Sequence, residues 1–185
     1  MMFLAGLAIF FAAHFFTAFA RGTRAGLIDR VGVLGYRGLY SLVSLLGLGL
    51  IVLGWPSAST HVLYTPPYWM RHIAYLLVLA GLIMVAAAYL PRGRIAARLK
   101  HPMLAGLKTW ALAHLLVNGD VRSVLLFGAF LAYGVADRIA LKRRGDMGAP
   151  AVSRFGDITA IAVGAAAWVA IYLFLHPIIA GVALR

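Results

Sequence analysis

Long apolar runs separated by short basic stretches set the pattern of the chain, and six of them are candidates for membrane spans. A helical span needs about 20 mostly apolar residues to cross about 30 Å of hydrocarbon. Residues 2–20 give the first, 36–55 the second and 72–90 the third, which Pro91 stops. Residues 103–117 and 121–137 form a tight pair around the turn tripeptide Asn118-Gly119-Asp120. Residues 157–176 give the sixth, followed by Pro177 and a short apolar tail. The fourth is short: its 15 residues reach about 22 Å as a helix. Pro102 suits the first helical position, where a missing N–H does no harm. The expected fold is an all-α, polytopic membrane helical bundle forming a single domain over residues 1–185. The first segment is not a cleavable signal peptide, because no basic residue precedes it and Arg21 and Arg24 follow it.

Composition narrows the class. Only 12% of the 185 residues are charged against 63% hydrophobic, and a soluble domain carries about 25% charge. A soluble globular domain is excluded. The charge is one-sided, with 17 Lys+Arg, 5 Asp and no Glu. Arg21, Arg24, Arg30 and Arg37 follow span 1, and Arg92, Arg94, Arg98 and Lys100 follow span 3. Arg138, Lys142, Arg143, Arg144 and Arg154 follow span 5. The opposite side has Arg71, Arg122 and Arg185, and Lys108 lies within a span. The positive-inside rule then predicts both termini outside and three cytoplasmic basic loops. Topology and anionic lipid account for the net charge of +12, so no nucleic-acid partner is implied.

The outer loop 56–71 has Pro56, Pro66 and Pro67 among Trp55, Tyr64, Tyr68 and Trp69. Interfacial anchoring is its natural role, with a substrate-facing lid as the alternative. Residues 142–156 are the only stretch resembling a flexible loop. Gly47, Gly49 and Gly54 permit close helix contact along span 2, which leaves an oligomer open.

With no Cys and no Glu, the reactive inventory is six His, five Asp and some hydroxyls. Asp29, Asp137, Asp146 and Asp157 lie in or beside the basic loops, where solvated ion pairs explain them. Asp120 suits capping or turn formation. His14 and His114 lie inside spans 1 and 4 among apolar neighbours. Ionisable residues at that depth are costly and are functional candidates; the structural alternative is a neutral imidazole bonded to a neighbouring helix. Zinc would want a third or fourth ligand, and no carboxylate shares that depth. Haem iron needs one or two axial imidazoles, and its apolar faces suit a bundle in lipid. Small residues near both (Ala12, Ala13, Ala18; Ala111, Ala113) would let a flat ring approach. The expected cofactor is haem b, with His14 and His114 as iron ligands.

One geometric difficulty stands. His14 lies about 10 Å, and His114 about 20 Å, above the cytoplasmic edge, so a shared ring must tilt or span 4 must start lower. His72 and His176, at the outer ends of spans 3 and 6, are anchors or partners of His114 in an outward-facing site. Propionates would need cations, either Arg71 and Arg122 outside or Arg21 and Arg37 inside. His101 is a helix-entry residue before Pro102, or part of a cofactor site. His61 has no special context.

The run from His101-Pro102-Met103-Leu104 through Ala113-His114-Leu115-Leu116-Val117-Asn118-Gly119-Asp120 resembles the NnrU family of integral membrane proteins. The resemblance continues in Leu125-Leu126-Phe127-Gly128, Asp137-Arg138, His14, Arg71-His72, Pro91-Arg92-Gly93-Arg94 and His176-Pro177-Ile178-Ile179-Ala180-Gly181. It implies a multi-pass protein of the bacterial inner membrane, associated with nitrite and nitric oxide reduction in denitrification. It also implies kinship to zeta-carotene isomerase, a haem b protein whose histidine ligands match His14 and His114, with His101-Pro102 alongside. Phe15-Phe16 stands where the isomerase has a small Ser-Gly pair, which sets this chain closer to the bacterial branch. The His-Pro motif is also similar to isoprenylcysteine carboxyl methyltransferases, but Lys100 replaces their Arg, Leu104 their Tyr, and their Glu is missing. The expected function is a haem-binding redox protein that meets a redox partner or lipophilic substrate. The alternatives are a haem-dependent polyene isomerase, an S-adenosylmethionine-dependent methyltransferase, or a non-catalytic assembly factor.

Overall fold

All six apolar segments are helical in the computed structural model, which describes residues 1–184. Helix α1 is Met2–Phe19, α2 Arg21–Gly54 and α3 Met70–Tyr89. A short α4, Arg94–Leu99, precedes α5, Pro102–Leu115. Then come α6, Val121–Arg143, and α7, Gly156–Ala170, which runs through a π-helical turn at Ile171–Leu175 into α8, His176–Ala180. Five stretches are long and apolar enough to cross a bilayer: α1, α2, α3, α6 and Gly156–Ala180. The 14 residues of α5 cover about 21 Å, so the expected fourth span is not among those five, and Pro102 opens the helix.

In space the helices stand in the order α2, α1, α6, α5, α3, α7, each packed on its neighbours in that row. Among the described residues α1 and α5 do not pack together, and α6 bridges them. The α1–α2 hairpin closes tightly because glycines remove side chains at the crossing. A Cβ on Gly47 would lie 2.7 Å from the Phe10 amide nitrogen, and one on Gly54 would meet the Phe3 backbone. Those two glycines therefore serve contact within the chain, while Gly49 faces open space. Phe3, Leu7, Phe11 and Ile51 fill the seam.

Four expectations need correcting. Residues 21–35 are not a loop: α2 begins at Arg21 and breaks only at Gly32, whose φ of 76° and ψ of 163° glycine adopts without strain. Arginine and leucine are good helix formers, so the helix continues beyond the apolar stretch. Similarly, α6 runs on to Arg143, with Lys142 and Arg143 beside its exposed carbonyls.

Residues 142–156 are not free of the fold either. The Arg92 side chain donates from Nε to the Ala149 carbonyl at 2.6 Å and from one terminal nitrogen to Ala96 and Lys100 carbonyls at 3.0 and 2.9 Å. Its own carbonyl accepts from the Val152 and Ser153 amides. One guanidinium thus ties the end of α4 to the segment before α7. Asp157 is no solvated ion-pair partner; it accepts the Ile95 amide at 2.8 Å and caps the start of α4.

At the opposite end, loop 56–69 straps across the α5–α6 turn. The Gly119 carbonyl accepts from Leu63 and Tyr64, the Val121 amide donates to the His61 carbonyl, and the Arg122 amide donates to Ser59. The Tyr64 hydroxyl donates to the carbonyls of Leu115 and Asn118 at the end of α5. Asp120 caps α6, accepting the Ser123 amide at 3.1 Å and its hydroxyl at 2.7 Å.

Candidate functional site

His14 sits two-thirds along α1, half-buried against α2 and α6. Its Nδ1 lies 2.7 Å from the Phe10 carbonyl, four residues back in the same helix. A carbonyl oxygen only accepts, so Nδ1 carries the hydrogen and Nε2 keeps its lone pair. The ring stacks on Phe10 at 4.1 Å between centroids. Tyr40 and Tyr133 approach it from α2 and α6, each at 5.4 Å. Below it the Tyr133 hydroxyl points to Asp137 at 3.5 Å, and Thr17 bonds Tyr36 at 2.8 Å. Asp137 therefore has a phenolic partner in place of the expected solvated ion pair.

His114 occupies the last turn of α5 and repeats the arrangement. Its Nδ1 donates to the Trp110 carbonyl at 2.9 Å, which again leaves the Nε2 lone pair. The ring stacks on Phe127 at 4.5 Å with the planes 28° apart, and lies 4.9 Å from Trp110. Its backbone carbonyl accepts from the Asn118 side chain. Ala111 and Ala113 are fully buried, so they serve helix packing and do not leave room for a ring, contrary to expectation. Ala18 is buried as well, whereas Ala12 is exposed.

The two imidazoles stand on either side of one aromatic cluster. Phe130 of α6 touches Phe10 and Phe11 of α1 at 5.7 and 5.0 Å and Trp110 of α5 at 5.5 Å. His14 lies level with Tyr133 and His114 level with Phe127. Six residues of α6 separate those levels, which is about 9 Å along the helix axis, the depth difference read from the sequence. What lies between them includes the side chains of Phe10, Phe130 and Trp110; the backbones of α1 and α5 do not pack together.

The remaining candidates scatter. His176 donates from Nδ1 to the Val182 carbonyl at 2.7 Å. It follows the π-helical turn, which lets the chain absorb the missing N–H of Pro177. His72 is exposed and meets only the edge of Tyr75 at 6.3 Å. His101 is the N-cap of α5 and approaches Asp146 at 3.5 Å. Arg71 lies over the Tyr68 ring at 3.6 Å. Arg122 lies over Trp55 at 4.5 Å, donates to its carbonyl at 3.0 Å and faces Asp120 at 3.6 Å. Among the described residues no three His, Asp or Glu side chains gather as a metal cluster. Tyr40, Phe127, Phe130 and Tyr133 were not among the expected site residues. The signal for three of them is the aromatic stripe Phe127, Phe130, Tyr133 at helical spacing on α6.

No curated protein and no solved structure gives a significant match to this chain. A family model does match it, the one described as NnrU protein, over residues 2–184. A match over essentially the whole chain, on a multi-helix apolar bundle, establishes that the chain belongs to the NnrU family of membrane proteins.

Proposed function

We propose that this NnrU protein is a haem b-binding protein of the bacterial inner membrane, with a redox role in nitrite and nitric oxide metabolism and with His14 and His114 as iron ligands. One observation carries the reading. Both part-buried imidazoles spend Nδ1–H on a carbonyl of their own helix and keep the Nε2 lone pair uncommitted. A histidine that only ties helices together bonds across to a neighbour. A histidine prepared for a metal donates its other N–H to a carbonyl or carboxylate, which fixes the tautomer and aims the ring.

The donor set fits haem. Neutral imidazoles are good iron ligands, and a haem shared by both would have to displace the side chains of Phe10, Phe130 and Trp110 that lie between them. Haem, when bound, supplies one-electron chemistry at its iron. Phe10 and Phe127 hold the two imidazole planes by stacking. The phenyl and indole rings around them exclude water, and Tyr40 and Tyr133 bring hydroxyl groups to the His14 side alone. A redox partner or lipophilic substrate would approach from the membrane or its surface.

The test is haem content per chain in purified wild type, His14→Ala, His114→Ala and the double variant. A single haem lost in either single variant is the expected result. Haem retained by the double variant overturns the assignment.

A further inference from the structure

A surface pocket lies at the basic end, lined by neither His14 nor His114. It is an open depression of about 260 Å³ beside the His101-Pro102 turn. Arg92 and Lys100 line it together with apolar side chains, Ala88, Leu104 and Leu141 among them. The cations there have no acidic partner. Arg92 bonds three neutral carbonyls, which leaves both N–H groups of its other terminal nitrogen free for a ligand. The Lys100 ammonium touches only the Met147 sulfur, at 3.4 Å. Among the described residues the ion pairs are His101 with Asp146 and Arg122 with Asp120, so neither cation is neutralised. Asp137 is the one carboxylate in the wall. Two cations against one carboxylate leave a single positive charge.

We propose that this pocket binds the phosphate of an anionic membrane phospholipid. A phosphodiester carries one negative charge, which matches the net charge of the wall. The apolar lining residues take the first methylenes of an acyl chain, a feature that a free phosphate ion cannot use. The position also fits, because α4 and the start of α5 follow the end of the spanning helix α3, where lipid headgroups lie. Lys100 holds a positive φ of 66°, unusual for a residue with a side chain.

Native mass spectrometry of the full chain, stripped of lipid and then offered phosphatidylglycerol or phosphatidylcholine, tests the proposal. Preferential retention of phosphatidylglycerol is expected, reduced about fivefold in Lys100→Gln, the effect of one lysine at an anionic surface. Lys100→Gly removes the same charge while relaxing the backbone, so it reports on charge even if Lys100→Gln folds poorly; the same loss is expected. Equal retention of the two lipids overturns the proposal. So does phosphatidylglycerol retention unchanged in both variants, or its full displacement by millimolar inorganic phosphate, which would mark a free-phosphate site.

Discussion

The imidazole of His114 stacks on the phenyl ring of Phe127 at 4.5 Å, with the planes 28° apart. That contact, with the Nδ1 bond to the Trp110 carbonyl, fixes where the free Nε2 points. Phe127 is buried. Its replacement by alanine removes the stack and opens a void, and should destabilise the protein by about 3 kcal/mol. Thermal unfolding in detergent reads the loss, and Phe127→Leu should recover most of the stability without restoring the stack.

Gly47 and Gly54 differ from Gly49 in what an added methyl would meet. Gly54→Ala drives a Cβ into the Phe3 backbone, and Gly47→Ala drives one to 2.7 Å from the Phe10 nitrogen. Each should lower the melting temperature and loosen α1 from α2. Gly49→Ala meets nothing within 4 Å and replaces glycine with the best helix former, so it should be neutral or gain up to about 1 kcal/mol.

Tyr64 gives a pH dependence. Burial, helped by the nearby Asp120 carboxylate, raises its phenol above the usual value of 10.0. Because the folded value is the higher one, the docking contribution of this hydroxyl is fully present below the unfolded pKa. It is lost as pH rises through the folded pKa. Amide exchange at Leu63 and Tyr64, whose N–H groups bond the Gly119 carbonyl, should therefore show extra opening only in the alkaline range. Tyr64→Phe should remove that step and show faster exchange already at neutral pH.

Arg92→Lys keeps the charge but not the planar fork that reaches Ala149, Ala96 and Lys100 together. Tryptic cleavage between Lys142 and Arg154 should accelerate severalfold, while helix content measured by circular dichroism stays unchanged.

The spans were legible because hydropathy reports on lipid contact, and lipid contact is what distinguishes residues 2–20 or 72–90 from the rest. It reports nothing about helices that continue into the headgroup region, so the stretch Arg21–Val31 of α2 read as a loop. It is also silent on loops held by backbone carbonyls. Arg92 looked like one more topogenic cation, and only the fold reveals the carbonyls it gathers. For the candidate site, depth was readable by counting residues, and His14 and His114 do lie at different levels. Their aromatic surroundings were half-readable: the stripe Phe127, Phe130, Tyr133 is visible in the sequence, but its role in separating α1 from α5 depends on the order of helices in space. That order has no signature in a pattern of apolar residues.

The proposed haem site stands or falls with the two imidazoles whose Nε2 lone pairs are left free. The most direct measurement is the reduced-minus-oxidised absorption spectrum of detergent-purified protein from iron-replete cells. Expected are a Soret band that shifts and a visible band that sharpens on adding dithionite, both absent from the His14→Ala/His114→Ala double variant. A colourless wild-type protein that also fails to take up added haem would contradict it.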